Sequence, residues 1–315
     1  MAVDVEDNLN HHLSNEHFGV LEAKPFGSIR YYHYRANSTP DRELAVFFHG
    51  FNFYSNLYAP LLNKLSERFD VITCDLPGHG ETSPMTDMKD YTPDNFILCL
   101  QKVIEHCAAA DRKLHLVGHS MGGLLAGLAA TRPFFKNRLL SVTMCCPAGI
   151  HLVEGLDTKL LKTSLGQKIV HANLPRSLRI LKKSMGKRTY RYLPEHVATQ
   201  LRELYNGFFE KHWEKVLLRT FYMIPNFPWS NCHDEFKKLS DLSVPVTIWL
   251  SKRDSYVGTK RTAKFFSQDV FSGKVKVIIE ENSLHDLPVL IPTKVVEAIK
   301  KKDACAADID IVESV

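Results

Sequence analysis

The alternation of short apolar runs with helical patterns limits what this chain can fold into more than any other feature of its sequence. Residues 29–34 (IRYYHY), 44–48 (LAVFF), 71–74 (VITC), 114–118 (LHLVG), 141–146 (SVTMCC), 244–250 (VPVTIWL) and 275–280 (VKVIIE) each read as a strand. Helical patterns occupy 56–67, 94–109, 121–132 and 293–302. Runs so short and so apolar suit strands of a parallel sheet that is covered on both faces. Strand and helix in regular alternation then predict a doubly wound, mostly parallel α/β sheet. With 315 residues, 44% of them hydrophobic, the chain has enough apolar material for such a core.

The alternation breaks between residues 151 and 232, where the pattern is mostly helical and ten aromatic residues fall between Tyr190 and Trp229. We therefore expect a core made of residues 1–150 and 233–315, with 151–232 as a helical insert. The insert carries 14 Lys and Arg against 6 Asp and Glu, a net of +8, whereas the whole chain is only +5. The positive balance is thus local. Residues 178–192 (LRILKKSMGKRTYRY) mix the cations with Leu, Ile, Met and Tyr, a composition able to lie on an anionic lipid surface. Local basicity without a recognition motif argues against nucleic acid as a partner. No apolar stretch reaches the length of a membrane span, and the polar start of the chain has no signal-peptide pattern. Seven cysteines without C-x-x-C spacing fit reduced, mostly buried thiols in a cytoplasmic protein.

Residues 116–123 read LVGHSMGG, a strand end running into a small-residue helix. Gly118-His119-Ser120-Met121-Gly122 matches G-x-S-x-G. The spacing has a steric reason: a serine on a strained strand-to-helix corner leaves no room for side chains at the flanking glycines. The corner lifts the hydroxyl above the sheet and aims the next backbone N–H, that of Met121, at a developing oxyanion. Ser120 is therefore the candidate nucleophile.

Three motifs together resemble the α/β-hydrolase fold superfamily over nearly the whole chain. FFHGFNF (47–53) resembles that family's His-Gly oxyanion loop, CDLPGHGET (74–82) its turn after the fourth strand, with Thr82 in place of the usual serine, and VGHSMGG its nucleophile elbow. The resemblance implies an α/β-hydrolase fold with a helical cap, residues 151–232, inserted after the sixth strand. It implies Ser120 as nucleophile, Asp254 as the acid and His285 as general acid and base. It places the oxyanion-hole N–H groups on Phe51 and Met121, and Gly50, Phe51, Phe53 and Met121 beside the substrate. His119 is expected to pack beside the elbow, and His49 to brace the oxyanion loop. Asp286 is the rival acid, set aside because adjacency to His285 points the two side chains apart. Asp75 is expected to stabilise the turn after its strand.

A serine at position 120 implies acyl transfer through an acyl-enzyme. CCPAGIHL (145–152) resembles the start of the cap in monoacylglycerol-lipase-type members, which points to a hydrophobic, lipid-like ester such as a monoacylglycerol or a lysophospholipid. We expect no metal, no organic cofactor and no obligate protein partner. The basic insert could make peripheral contact with anionic membrane, the alternative being a solvated charged face. The same residues would also serve C–C bond hydrolysis or perhydrolysis, and a non-catalytic hydrolase-fold ligand sensor is the alternative of another class.

Overall fold

The computed structural model describes residues 5–6, 13, 18–34, 42–108, 111–153, 159, 163–172, 193–203, 223 and 226–299. The basic stretch 178–192 and the C-terminal residues 303–315 lie outside the described residues, as does most of the predicted insert.

Eight strands form one sheet in the order β1-β2-β4-β3-β5-β6-β7-β8. They are β1 (Phe18–Ala23), β2 (Gly27–Tyr34), β3 (Leu44–Phe48), β4 (Asp70–Cys74), β5 (Leu114–His119), β6 (Leu139–Cys145), β7 (Val246–Ser251) and β8 (Val275–Glu280). β1 and β2 are antiparallel to their neighbours, and β3 to β8 pair in parallel. The apolar runs are the central strands, as their composition demands: every residue of β3, β4, β5 and β7 is buried. The expected doubly wound, mostly parallel sheet is present. β1, which the run pattern did not indicate, is an added edge strand.

Helices cover both faces. In chain order the described ones include α1 (Ala59–Ser66), α2 (Pro93–Cys107), α3 (Met121–Ala130), α4 (Pro133–Lys136), α5 (Ser164–Ala172), α6 (His233–Lys237), α7 (Thr259–Phe266), α8 (Leu287–Leu290) and α9 (Pro292–Glu297). One apolar core joins the sheet to α2, α3, α6 and α7 through residues such as Phe96, Leu100, Leu124, Phe236 and Phe266. A second core on the other face joins it to α1, α8 and α9 through Leu61, Leu62, Leu287 and Val295. Several helices start where the sequence supplies a signal, with Pro in the first turn of α1, α2, α4, α8 and α9. Thr92 caps α2 by accepting from the Asn95 N–H at 3.3 Å, and Pro93 takes the first helical position.

The segment after β6 leaves and returns at one place. The Cys232 N–H donates to the Gly149 carbonyl and the Gly149 N–H to the Trp229 carbonyl, both at 2.8 Å. The Leu152 N–H donates to the Ser230 hydroxyl at 3.0 Å. Residues 149–152 are thus stitched to 229–232.

Candidate active site

The strand order puts the C-terminal ends of β3, β5, β6, β7 and β8 side by side, and the loops leaving those ends form the site. In an open parallel sheet this is the edge where ligands bind.

Ser120 follows β5 directly and precedes α3. Its backbone sits at φ 56°, ψ −115°, a conformation that side-chain-bearing residues rarely adopt and that costs about 1–3 kcal/mol. Hydrogen bonds hold it there. The Ser120 N–H donates to the Cys145 carbonyl at 2.9 Å, and its carbonyl accepts from Leu124 at 3.1 Å and Ala148 at 3.0 Å. The flanking glycines have no alternative. A Cβ on Gly118 would overlap the Gly122 carbonyl, and one on Gly122 would overlap the Phe48 carbonyl. Met121, the next residue, opens α3, where N–H groups have no carbonyl one turn back.

Asp254 and His285 come from the loops after β7 and β8. The Asp254 side chain is only 1% exposed, and both oxygens are engaged. Oδ1 accepts the backbone N–H groups of Tyr256 at 2.7 Å and Val257 at 2.8 Å. Oδ2 faces His285 Nδ1 at 2.8 Å. A carboxylate can only accept, so Nδ1 carries the proton and Nε2 is left with its lone pair. The Ser251 hydroxyl donates to the Ser283 carbonyl, which ties the Asp254 loop to the His285 loop. Burial alone would lower the His285 pKa, but the charge and hydrogen bond of Asp254, with help from Asp286, outweigh it and leave His285 above its ordinary value.

The neighbouring histidine behaves in the opposite way. Burial, then the nearby His285, hold His119 well below the usual imidazole range, so it stays neutral. Its Nε2 lies 2.8 Å from the His285 carbonyl. The residue next to Ser120 is therefore bonded to the backbone of His285, and the two rings sit 4.7 Å apart.

The loop after β3 carries His49, Gly50, Phe51 and Phe53. The Leu76 N–H donates to His49 Nε2 at 2.9 Å, which fixes the tautomer, so His49 Nδ1 donates to the Gly50 carbonyl at 2.8 Å. The Phe53 N–H donates to the same carbonyl at 3.1 Å. That carbonyl and the Phe51 N–H belong to one planar trans peptide, so pinning the first sets the direction of the second. The Phe51 ring packs edge-on against Trp229 at 5.3 Å, and Trp229 stacks on Phe227 at 5.1 Å. Phe53 is buried against Tyr58 and His119.

Supporting positions have plain structural duties. Asp75 accepts the N–H of Ser55 at 2.9 Å and of Glu81 at 3.0 Å, joining the loops after β3 and β4. Thr82 accepts the Arg30 N–H at 2.9 Å. Asp286 is buried beside His285, and burial pushes its carboxyl up to about 6. Two residues here carried no signal in the sequence. Tyr58 contacts His119 from α1's preceding turn, and Cys146 stands against Asp254. The ligand-type atoms of Cys146, Asp254 and His285 lie within 4.8 Å of one another, the one such grouping among the described residues. Its geometry is that of a hydrogen-bonded set, with Oδ2 taken by Nδ1–H.

Chemically, the arrangement presents a hydroxyl on a rigid corner, an imidazole with a fixed tautomer and a buried carboxylate behind it. The profile of the family described as alpha/beta hydrolase fold matches residues 45–289. Over 137 residues, 44% of this chain and 39% of the relative, the sequence is 27% identical to a monoacylglycerol lipase, abhd6-A, from Xenopus laevis. Over 113 residues it is 37% identical to a pimeloyl-[acyl-carrier protein] methyl ester esterase from Xanthomonas campestris pv. campestris, covering 36% of this chain and 39% of that protein. The matched stretches thus span under half the length of these curated relatives. The enol-lactonase of Burkholderia xenovorans LB400 superposes with a TM-score of 0.68 at 14% identity, covering 89% of this chain and 99% of that one, which is a likeness of fold.

Proposed function

The chain belongs to the α/β-hydrolase fold family, and we propose that it is a serine carboxylic ester hydrolase in which Ser120, His285 and Asp254 act as nucleophile, general base and orienting acid. The observation that carries this reading is the junction at His119. Its backbone leads straight into Ser120 and its ring holds the His285 carbonyl at 2.8 Å, while the His285 imidazole is fixed by Asp254 on the far side.

In the proposed reaction, His285 Nε2 takes the Ser120 proton as Oγ attacks the ester carbonyl. Asp254 stabilises the imidazolium through the Nδ1–H bond. The backbone N–H groups of Phe51 and Met121 receive the oxyanion, and each is worth about 3–4 kcal/mol by comparison with other oxyanion holes. The imidazolium then protonates the departing alkoxide. Water, activated by His285, releases the acid and restores Ser120.

The substrate we assign is a hydrophobic, lipid-like ester. Two relatives are named as a monoacylglycerol lipase and a methyl ester esterase. Phe51, Phe53 and Trp229 give the surroundings of Ser120 an apolar character that suits an acyl chain. Residues 151–232 act as the cap over the site, consistent with their shared point of departure and return at 149–152 and 229–232. The basic stretch of that cap would hold the site against anionic lipid.

The test is intact mass after brief exposure to a long-chain fluorophosphonate, wild type beside Ser120→Ala, with hydrolysis of p-nitrophenyl esters from acetate to palmitate. We expect one adduct, lost in Ser120→Ala, and activity that rises with chain length. No adduct and no turnover would replace this reading with that of a ligand sensor.

A further inference from the structure

The hydrogen bonds around His119 run in one direction through four residues, and the direction follows from chemistry alone. The His285 carbonyl can only accept, so His119 Nε2 donates to it across 2.8 Å. A neutral imidazole with its proton on Nε2 must accept at Nδ1, which lies 2.6 Å from the Tyr58 hydroxyl. Tyr58 therefore donates there. Its oxygen then accepts the Gly50 N–H at 3.0 Å. The path from the Gly50 N–H through Tyr58 and His119 to the His285 carbonyl uses each buried polar group once, with no rotamer or tautomer left to choose.

The two ends of that path are the two loops whose relative placement matters. Gly50 precedes Phe51 in the loop after β3. His285 follows β8. Between those strands lie β5, β6 and β7, so neither loop touches the other through the sheet. The link instead passes behind Ser120. Its members are walled in: Tyr58 is fully buried, packs on Phe47 at 4.7 Å and on Phe53 at 5.6 Å, and His119 is 1% exposed. Gly50 leaves room for it, because a Cβ there would stand 2.8 Å from the Tyr58 hydroxyl and 3.2 Å from His119 Nδ1.

We propose that Tyr58 and His119 are positioning residues that hold the oxyanion loop in register with the loop carrying His285. The proposal rests on the assignment of Ser120, His285 and Asp254 given above. Neither side chain touches substrate. Their effect is to hold the oxyanion donor and the base at one fixed separation from Ser120. Loss of the link lets the two loops drift apart, which lowers the rate of the chemical step and leaves substrate binding alone; a displacement on the order of 1 Å at reacting groups costs about a hundredfold.

The experiment compares Tyr58→Phe, His119→Leu, His119→Gln and the Tyr58→Phe/His119→Leu double variant, with kcat expressed per site titrated by fluorophosphonate. A glutamine at 119 keeps an acceptor for Tyr58 and a donor for His285; leucine keeps neither. Expected are a loss of about a hundredfold in kcat for His119→Leu and about tenfold for Tyr58→Phe, with KM within about threefold. His119→Gln should stay within about threefold of wild type, and the double variant should be no slower than His119→Leu alone. Equal losses in the Gln and Leu variants, or an unchanged Tyr58→Phe, would overturn the proposal. Should His119→Leu not fold, Tyr58→Phe and His119→Gln decide the matter by themselves. A wild type that forms no Ser120 adduct refutes the hydrolase reading, whereas a labelled wild type with an indifferent Tyr58→Phe refutes only the link.

Discussion

Asp286→Asn should make this protein more stable, by an amount that depends on pH. Asp286 is 4% exposed, and burial is the largest influence on its carboxyl. Asp254 adds repulsion and His285 offsets part of both, leaving a pKa of about 6 against an ordinary 3.8. A carboxyl raised in the folded state binds its proton more tightly there than in the unfolded chain. Its contribution is therefore neutral below the unfolded value, and becomes destabilising as pH rises from there through the folded value. The full penalty, two pKa units at about 1.4 kcal/mol each, is about 3 kcal/mol above neutrality. Near pH 4.5 it has shrunk to about 1 kcal/mol. Asparagine has nearly the same shape and does not titrate. Burying its amide costs about 1 kcal/mol, but equally at both pH values. The informative quantity is the change in ΔΔG between pH 4.5 and pH 8, expected to be about 2 kcal/mol in favour of the variant at the higher pH. Urea unfolding read by the fluorescence of the three tryptophans measures it. A ΔΔG that is the same at both pH values, or that falls with rising pH, would refute the argument that this charge is held at a cost. A second consequence is kinetic. Asp286 helps raise His285, so its neutralisation should move the acid limb of kcat/KM to lower pH.

Asp254→Asn should act on His285 more strongly still. With the carboxylate gone, burial is left as the main influence on His285, so the acid limb should move from above the ordinary imidazole value to below it, while kcat falls by about 10⁴. A near-normal rate in a pH series on that variant would mean that the acid is misassigned. Membrane contact through residues 178–192 predicts that vesicle sedimentation rises with the fraction of anionic lipid and falls with added salt. Equal binding to neutral and anionic vesicles would remove that idea.

How much of this was legible in the sequence depended on how local each constraint is. The elbow was readable because sterics act within five residues: Gly118 and Gly122 have no room for a side chain, so the sequence must display them. The buried strands were readable because both faces are covered. β1 was not. Its FGVLEA sequence lies on the edge, with Phe18 42% and Val20 55% exposed, so no apolar run marks it. α7 was missed because TKRTAKFF is mostly polar until its last two residues, and Thr262, Phe265 and Phe266 are its buried positions. Asp254 and His285 were assigned only through family resemblance, since what joins them is a contact between residues 31 apart. Tyr58 had no mark at all. One tyrosine among eleven acquires its place through a hydrogen bond to a histidine 61 residues away.

The two histidines at the centre show why that link matters for the proposed chemistry. They are 4.7 Å apart, yet their surroundings drive them in opposite directions, His285 up and His119 down. His285 must gain a proton and lose it again in each acyl transfer. His119 must do neither, because a doubly protonated ring would donate at Nδ1 and turn the Tyr58 hydroxyl away from it. Tyr58 could then no longer serve His119 and Gly50 in the directions that satisfy both. The bonds matter most when His285 is charged, because the oxyanion exists then. At that moment the new cation beside His119 makes a second protonation still less favourable, since like charges at such a distance oppose each other. The charge that the reaction creates on His285 therefore reinforces the neutral state of His119, and with it the bonds that hold the oxyanion loop in place while the oxyanion exists.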